Sequence, residues 1–192
     1  MSETKSVSVD DLKRLRELTG AGMMDCRQAL VDSGGDVERA VALLRERGIA
    51  GAAKRSDRET SNGVVEAYLH RTSGDYPPQV GAMVEVNCES DFVAKGAEFR
   101  TLARELALHI AGRAPRWVAR DQVPGEAVEE WRKVHQIGDG EVEDFYREHV
   151  LLEQAFVRDP SLSVADLIAE TGARVKENIT VRRFSRFSIK EA

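Results

Sequence analysis

The side chains best suited to chemistry are scattered through this 192-residue chain instead of being gathered in one motif. Four histidines, His70, His109, His135 and His149, fall in four different predicted elements. A Cys88–His109 pair would make a nucleophile and base if the fold brought the two side chains together. No nucleophile motif surrounds either residue, so we interpret them as a strand cysteine and a helix histidine that pack in the core.

Sequence signatures for nucleotides, metals and disulfides are missing. The chain has no G-x-x-x-x-G-K-[ST] phosphate loop, and no G-x-G-x-x-G follows a predicted strand. Cys26 and Cys88 lie too far apart for a zinc-binding pair, and two cysteines are too few for a disulfide framework. We therefore expect no cofactor, no bound metal, no enzymatic activity, and two free thiols in a reducing compartment.

One segment combines arginines with aromatic side chains, as proteins that bind single-stranded nucleic acid do. Arg182-Arg183-Phe184-Ser185-Arg186-Phe187 places three arginines and two phenylalanines on one predicted strand. The alternative is an ordinary strand with its apolar residues inside and its arginines in water or in ion pairs. The net charge of −5 favours the ordinary strand, so direct binding to nucleic acid is not expected.

A short segment, Glu89-Ser90-Asp91-Phe92-Val93-Ala94, lies where a predicted strand meets a long predicted helix. In one interpretation Phe92 is a core residue at the strand end, while Asp91 or Ser90 caps the helix. In the other, the turn holds Phe92 outward as a hydrophobic wedge directed at another protein. Composition and spacing leave both interpretations open.

The first fifty residues have the pattern of three short helices joined by glycine-rich turns. Ser8 and Asp11 form a capping-box pattern ahead of the first helix, and Gly34-Gly35 ends the second. The third helix is expected to end at Gly48. A compact bundle of this kind resembles a ubiquitin-associated (UBA) domain, and we assign it to residues 1–55.

After a polar stretch at 54–62, interpreted as a linker, the apolar period changes from that of a helix to that of a strand. Val65, Ala67 and Leu69 alternate with polar residues, and the alternation returns over 80–88. This pattern predicts an antiparallel hairpin with one buried face, on which these apolar residues lie.

The rest of the chain has helical patterns and one further strand. A long helix is predicted over 93–112, a capping box at Ser163–Asp166 begins another, and a strand over 178–189 carries a bulge between 181 and 184. Residues 56–192 thus form a small antiparallel sheet covered by helices, and the whole chain is α+β. Because so small a sheet is marginal alone, we expect its open face or edge to associate, for example with a second copy.

The bulk composition fits a folded protein, with 42% hydrophobic and 32% charged residues. The first five residues are polar and lack the apolar segment of a signal peptide. No stretch approaches the roughly 18 apolar residues that span a bilayer. We therefore expect a cytoplasmic protein without membrane contact.

Several segments resemble the bacterial translation elongation factor Ts family. The run LKRLRELTGAGMMDCRQAL, followed by GGDVERAVALLRERG, is similar to that family's N-terminal domain. EVNCESDFVAKGAEF with the helix LARELALHIA, then HVLLEQAFVRD and VKENITVRRFSRF, are similar to its core. The similarity covers nearly the whole chain, and TGAGMMDC together with SDFVA is highly specific.

The resemblance implies a guanine-nucleotide exchange factor for elongation factor Tu. It implies that Leu18, Met23 and Met24 lie in the surface of the N-terminal domain that docks on the GTPase domain. The loop Ser90-Asp91-Phe92-Val93 would insert near the nucleotide site, with its phenylalanine as the wedge and its aspartate making polar contacts. That insertion would disturb the site of Mg²⁺ and the phosphates, so that GDP leaves and GTP enters.

This chain is similar to short members of the family that have a single core, which implies a homodimer and a two-to-two complex with the GTPase. Ser90 stands where threonine is usual and Gly96 where asparagine is common. Lys176 replaces a glycine ahead of Glu177-Asn178, so the turn into the last strand is expected to differ, and the region 136–141 is shortened. The alternative functions are a UBA-like adapter for another protein and an RNA-binding protein.

Overall fold

The computed structural model describes residues 7–71, 73–74, 76–135 and 142–190. The region 136–141, which the resemblance implies is shortened, lies outside the described residues. In chain order the described elements are α1 (Val9–Thr19), α2 (Met23–Asp32), α3 (Val37–Arg55), β1 (Asn62–His70), β2 (Val80–Cys88), α4 (Asp91–Lys95), α5 (Ala97–Arg113), α6 (Gly125–His135), α7 (Val142–His149), α8 (Val164–Val175) and β3 (Ile179–Ser188). This mixture of helices with one small antiparallel sheet confirms the predicted α+β class.

The first three helices pack around a small core of their own, which contains Leu15, Cys26, Ala29, Leu30 and Ala40. α1 follows Ser8, whose side chain accepts a hydrogen bond from the N–H of Asp10 instead of that of Asp11, so the predicted capping box is not formed. α1 ends at Gly20, which has the left-handed backbone that favours glycine. The three predicted helices are confirmed, whereas the likeness to a UBA domain stays a prediction.

α3 is longer than the sequence predicts. It continues through Gly48 to Arg55, so the helix end predicted at Gly48 is wrong. The linker predicted over 54–62 is also wrong at both ends, because α3 includes its first two residues and β1 begins at Asn62. Gly48 is buried on α8, where a Cβ would stand 3.7 Å from the Cβ of Ala173. Packing against α8 therefore outweighs the weak helix propensity of glycine.

The sheet has three antiparallel strands in the order β1-β2-β3. β2 pairs with both neighbours along its whole length. In the β2–β3 pairing, Glu85 lies opposite Arg183 and Val86 lies opposite Val181, which leaves Arg182 as the extra residue of a bulge. The predicted bulge in the last strand is confirmed.

One face of the sheet packs on α5 and the other face is open. The buried residues of β2 are the alternating set that the sequence predicts: Ala82, Val84, Val86 and Cys88. They meet the buried side of α5, which is formed mainly by Phe99, Leu102, Ala103, Leu106 and Ile110. These two sets of residues form the centre of the main hydrophobic core.

β1 has the opposite orientation from the one predicted. Val65 and Leu69 are 62% and 63% exposed, and Ala67 is exposed as well. The register explains this, since Val64 lies opposite the buried Val86 and directly paired residues share one face of a sheet. The prediction that Val65, Ala67 and Leu69 are buried is wrong because pairing with β2, and not the local alternation of β1, decides the face.

The helix predicted over 93–112 is divided into α4 and α5. Gly96 has an extended backbone (φ −67°, ψ 145°), and its N–H donates to the carbonyl oxygen of Val93 at 2.9 Å. A Cβ at Gly96 would stand 3.0 Å from that same oxygen. This close approach favours glycine at the junction. The extended backbone of Gly96 separates the short helix α4 from the long core helix α5.

α8 begins with the capping box that the sequence predicts. Ser163 accepts a hydrogen bond from the N–H of Asp166, and the Asp166 carboxylate accepts one from the N–H of Ser163. The helix ends at Lys176, which has φ 62°, and the N–H of Lys176 donates to the carbonyl of Gly172. A lysine therefore occupies a left-handed cap that favours glycine.

We expect Lys176→Gly to raise the free energy of unfolding by about 0.5–1 kcal/mol, because glycine adopts the left-handed region without the steric cost that a Cβ adds. Urea denaturation followed by circular dichroism measures the change. The matched control is Lys133→Gly in α6, where the backbone is helical and the same substitution should lower stability by up to about 1 kcal/mol. A destabilised Lys176→Gly variant would contradict this account of the cap.

Candidate protein-binding loop

The connection from β2 to α5 holds a phenylalanine away from the protein. Phe92 is 83% exposed, whereas its neighbours Val93 and Ala94 are each only 8% exposed and belong to the main core. Successive residues of a helix point in directions about 100° apart, so the burial of these two residues directs Phe92 to the outside. The sequence left open whether Phe92 is a core residue or points outward, and in the structure its side chain points outward.

Ser90 begins the short helix that carries Phe92. Its Oγ accepts a hydrogen bond from the N–H of Val93 at 3.3 Å, and its backbone is extended, which is the arrangement of a helix N-cap. The structure thus selects Ser90, and not Asp91, as the cap. Asp91 is the first residue of α4 and is exposed beside Phe92.

The Asp91 carboxylate is paired within its own helix. Lys95 Nζ lies 2.7 Å from Asp91 Oδ2, one helical turn away. The hydrogen bond from Lys95, and then its positive charge, hold the pKa of Asp91 below its usual value. The tip of the loop therefore presents an apolar ring next to an ionised carboxylate at neutral pH.

Two carboxylates fix the base of the loop. Glu177 Oε2 accepts hydrogen bonds from the backbone N–H groups of Glu89 and Ser90, each at 3.0 Å, and Oε1 accepts one from the Ser90 hydroxyl. In turn, Glu89 Oε1 accepts from the N–H of Asn178 at 2.6 Å and from the guanidinium of Arg58 at 3.3 Å. The loop is thus tied to the turn between α8 and β3 from both sides.

The place of Glu177 at this loop is not visible in the sequence. Its two backbone partners lie 88 and 87 positions earlier in the chain, and no periodic pattern reports a contact over such a separation. A glutamate at the start of the last strand is most simply expected to be in water. The tertiary structure alone brings it beneath Ser90.

The residues that the resemblance assigns to docking lie at one corner of the N-terminal bundle. Leu18 is near the end of α1, Met23 and Met24 begin α2, and all three side chains are exposed. The left-handed Gly20 makes the turn between them. A cavity of about 240 Å³ that Leu18 helps to line extends from this corner between α3 and α8. The corner is an exposed apolar surface, and its docking role stays a prediction.

Cys88 and His109 do not form a pair. The Cys88 thiol donates to the carbonyl oxygen of Ser90 at 3.2 Å. His109 Nδ1 accepts a hydrogen bond from the N–H of Val157 at 3.2 Å, and Nε2 lies 2.8 Å from the Oε1 of Gln154. Both side chains are fully buried, so the interpretation as packed core residues is confirmed.

The buried thiol of Cys88 is a weak acid. Burial, and then the negative charge of Glu177, raise its pKa to about 11. Since the thiolate is the reactive form, Cys88 is held as an unreactive thiol near neutral pH. Cys26 is also fully buried, and burial raises its pKa in the same direction.

The arginine-rich last strand has the arrangement of an ordinary sheet strand. Arg182 and Arg183 both pair with the carboxylate of Glu85, at 3.2 and 2.7 Å. Phe184 packs against the main core, whereas Phe187 is exposed on the open face of the sheet. The ion pairs of these arginines agree with the interpretation that the sequence favoured, whereas the exposed Phe187 contradicts its expectation that the apolar residues of the strand lie inside.

Two further kinds of feature are not found in the part of the chain that the structure describes. Within the described ranges, no helix is both long enough and apolar enough to cross a membrane. The same residues include no group of three or more His, Cys, Asp or Glu side chains placed to hold a metal ion.

Together, the fold and the loop define an α+β protein that presents one phenylalanine on an anchored turn, next to a helical bundle with its own apolar corner. Residues 33–191 match the family model of elongation factor TS. The chain is 48% identical to elongation factor Ts of Herpetosiphon aurantiacus over 199 residues, which cover 96% of this chain and 98% of the relative. Its identity to elongation factor Ts of Frankia alni is 45%, with 97% and 98% covered, and to that of Caldanaerobacter subterraneus subsp. tengcongensis 42%, with 94% and 96% covered. The chain belongs to the elongation factor Ts family, and the resemblance is confirmed.

Stability should fall below about pH 6.5 because His109 is buried as a neutral ring, and burial lowers its pKa from 6.5. The unfolded chain binds a proton at His109 near pH 6.5, whereas the folded chain does so only at lower pH. The stabilisation is therefore complete above pH 6.5 and is lost as the pH falls towards the folded pKa. Urea unfolding at a series of pH values should give a shallower fall for His109→Gln than for the wild type, and identical slopes would contradict this.

Proposed function

We propose that this chain is a guanine-nucleotide exchange factor for elongation factor Tu in translation elongation. It binds the GDP-bound GTPase, promotes release of GDP and so allows GTP to enter. Membership of the elongation factor Ts family supports this proposal. The single observation that carries the mechanism is the 83% exposure of Phe92 on a turn whose other apolar residues are buried in the core.

The proposed action of Phe92 is to disturb the site that holds Mg²⁺ and the phosphates in the GTPase. Mg²⁺ requires near-ideal octahedral coordination, so a small displacement of its surroundings weakens its binding sharply. The metal neutralises charge on the phosphates of the nucleotide, and without it the nucleotide is held less tightly. An apolar ring with an ionised carboxylate beside it, as at Phe92 and Asp91, is suited to enter between two elements of a partner while bonding to polar groups at the rim.

One phenylalanine cannot supply the whole effect. Burying its ring contributes only about 1.5–3 kcal/mol. Lowering the affinity of the GTPase for its nucleotide about ten-thousandfold requires a coupling free energy of about 5.5 kcal/mol. In this proposal the remainder comes from docking of the apolar corner formed by Leu18, Met23 and Met24. The anchored turn also helps, because a loop that is already ordered loses little conformational entropy on binding.

The chain is proposed to act through binding alone, in the cytoplasm, without a catalytic centre or a cofactor of its own. Exchange of this kind needs no covalent step, since the factor only has to bind one state of the GTPase more tightly than another. Reciprocity then follows: if this protein weakens the binding of GDP, GDP must weaken the binding of this protein by the same factor.

We expect Phe92→Ala to slow the release of fluorescent GDP from elongation factor Tu by at least about tenfold, because the ring that enters the GTPase is removed. Stopped-flow fluorescence with and without the factor measures the rate. The control is Val134→Ala in α6, another exposed apolar side chain, which should leave the rate unchanged. Wild-type kinetics for Phe92→Ala would exclude the wedge.

The proposal includes a homodimer formed through the open face of the sheet, which gives a two-to-two complex with the GTPase. Four exposed apolar residues of the three strands support it: Val65, Leu69, Met83 and Phe187. The register places them on one face, since Met83 lies opposite Ala67 and Phe187 lies opposite Gly81. Several large apolar side chains exposed on one face of a sheet are typical of an association site.

We expect the wild type to sediment as a dimer and Phe187→Asp to raise the dimer dissociation constant at least about a hundredfold, because a carboxylate buried without a partner is costly. Sedimentation velocity over a concentration series measures this constant. Val134→Asp adds the same charge to an exposed apolar site outside the sheet and should leave the dimer intact. A wild type that remains monomeric would overturn this part of the proposal.

A further inference from the structure

Three hydrogen-bond donors of the loop converge on the carboxylate of Glu177. The N–H groups of Glu89 and Ser90 both reach Oε2 at 3.0 Å, and the Ser90 hydroxyl reaches Oε1. β2 ends at Cys88, so these two N–H groups lie beyond the last paired residue of the strand. A charged acceptor makes stronger hydrogen bonds than a neutral one, and Glu177 thereby fixes the backbone where the loop leaves the sheet.

The Ser90 side chain carries this constraint to Phe92. Its hydroxyl donates to Glu177, and the same oxygen accepts a hydrogen bond from the N–H of Val93 in the first turn of α4. A serine hydroxyl has one proton and two lone pairs, so donation to the carboxylate leaves a lone pair free to cap the helix. The direction of α4, and with it the position of Phe92, depends on this arrangement.

The turn that contains Glu177 is itself held on several sides. Its neighbour Asn178 donates its N–H to Glu89 and its side-chain Nδ2 to the carbonyl oxygens of Ser56 and Arg58, at 3.2 and 2.9 Å. Ser56 directly follows α3, the helix that begins in the N-terminal bundle. A continuous chain of contacts therefore joins the N-terminal bundle, the turn after α8 and the loop.

We propose that Glu177 is a positioning residue for Phe92: it holds the loop in the orientation in which the ring acts on the GTPase. This inference rests on the proposed exchange function. Glu177 lies beneath the loop and acts through Ser90, without touching the partner. Its removal should impair the step that follows docking and should leave docking itself nearly unchanged.

Glu177→Gln tests this directly. The amide offers one neutral oxygen to the two backbone N–H groups and presents an NH2 donor to Ser90 Oγ, so the negative charge is lost and the Ser90 hydroxyl no longer has an acceptor at this position. At saturating factor the rate of GDP release should fall about tenfold, because a small misplacement of an acting group costs one to two orders of magnitude. The factor concentration that gives half the maximal rate should change less than about twofold. Glu105→Gln, which removes a half-buried carboxylate paired with Arg158, should alter neither quantity.

A double-mutant cycle separates positioning from general destabilisation. If Glu177 acts through the ring, adding Glu177→Gln to Phe92→Ala should slow release no further. Equal slowing in both backgrounds would overturn the inference, as would a wild-type maximal rate for Glu177→Gln while Phe92→Ala is slow. In both cases the exchange function itself would stand. Wild-type kinetics for Phe92→Ala would instead exclude the wedge, and this inference with it.

Hydrogen exchange on the wild type provides a test that needs no variant. The amides of Glu89 and Ser90 should be protected in the free protein, and Glu177→Gln should lower that protection while leaving the amides of β2 protected. Exchange of both wild-type amides at the rate of an unstructured peptide would overturn the inference even if the variant failed to fold.

Discussion

β2 lies between β1 and β3 and buries one face of alternating small and branched residues, from Ala82 to Cys88, against α5. The other elements of the core are arranged around this contact. The register on β2 decides which side of β1 is covered, and the end of β2 decides where the loop emerges. Because the burial continues into Val93 and Ala94, the loop is an extension of the core and not a free connection.

The loop combines two conditions that usually oppose each other. A large apolar side chain is exposed, while the backbone that carries it is held by charge-assisted hydrogen bonds at its base. A binding loop that is already ordered loses less conformational entropy when it binds, which increases its affinity. Here the hydrogen bonds formed on folding order the loop. The continuous α3 packs on α8 through Gly48 and through the ion pair of Arg45 with Glu170, and so joins the helical bundle to the α+β core.

The candidate site was only partly predictable from the sequence. The SDFV segment stands out as a string, and a role for Phe92 is what its similarity to a known family implies. Whether the ring points inward or outward depends on which neighbouring residues are buried, and that is a property of the packed core. The contribution of Glu177 was not predictable, since its contacts join positions nearly ninety residues apart.

Local patterns in the sequence are enough to predict the α+β class, the three N-terminal helices, the buried face of β2, the bulge in β3 and the capping box of α8. Each of these depends on residues within a few positions of one another, where periodicity, turn chemistry and capping act. The exposed face of β1, the length of α3 and the outward direction of Phe92 depend instead on tertiary contacts. Pairing register and helix packing set these features, and both depend on partners that are distant in the chain.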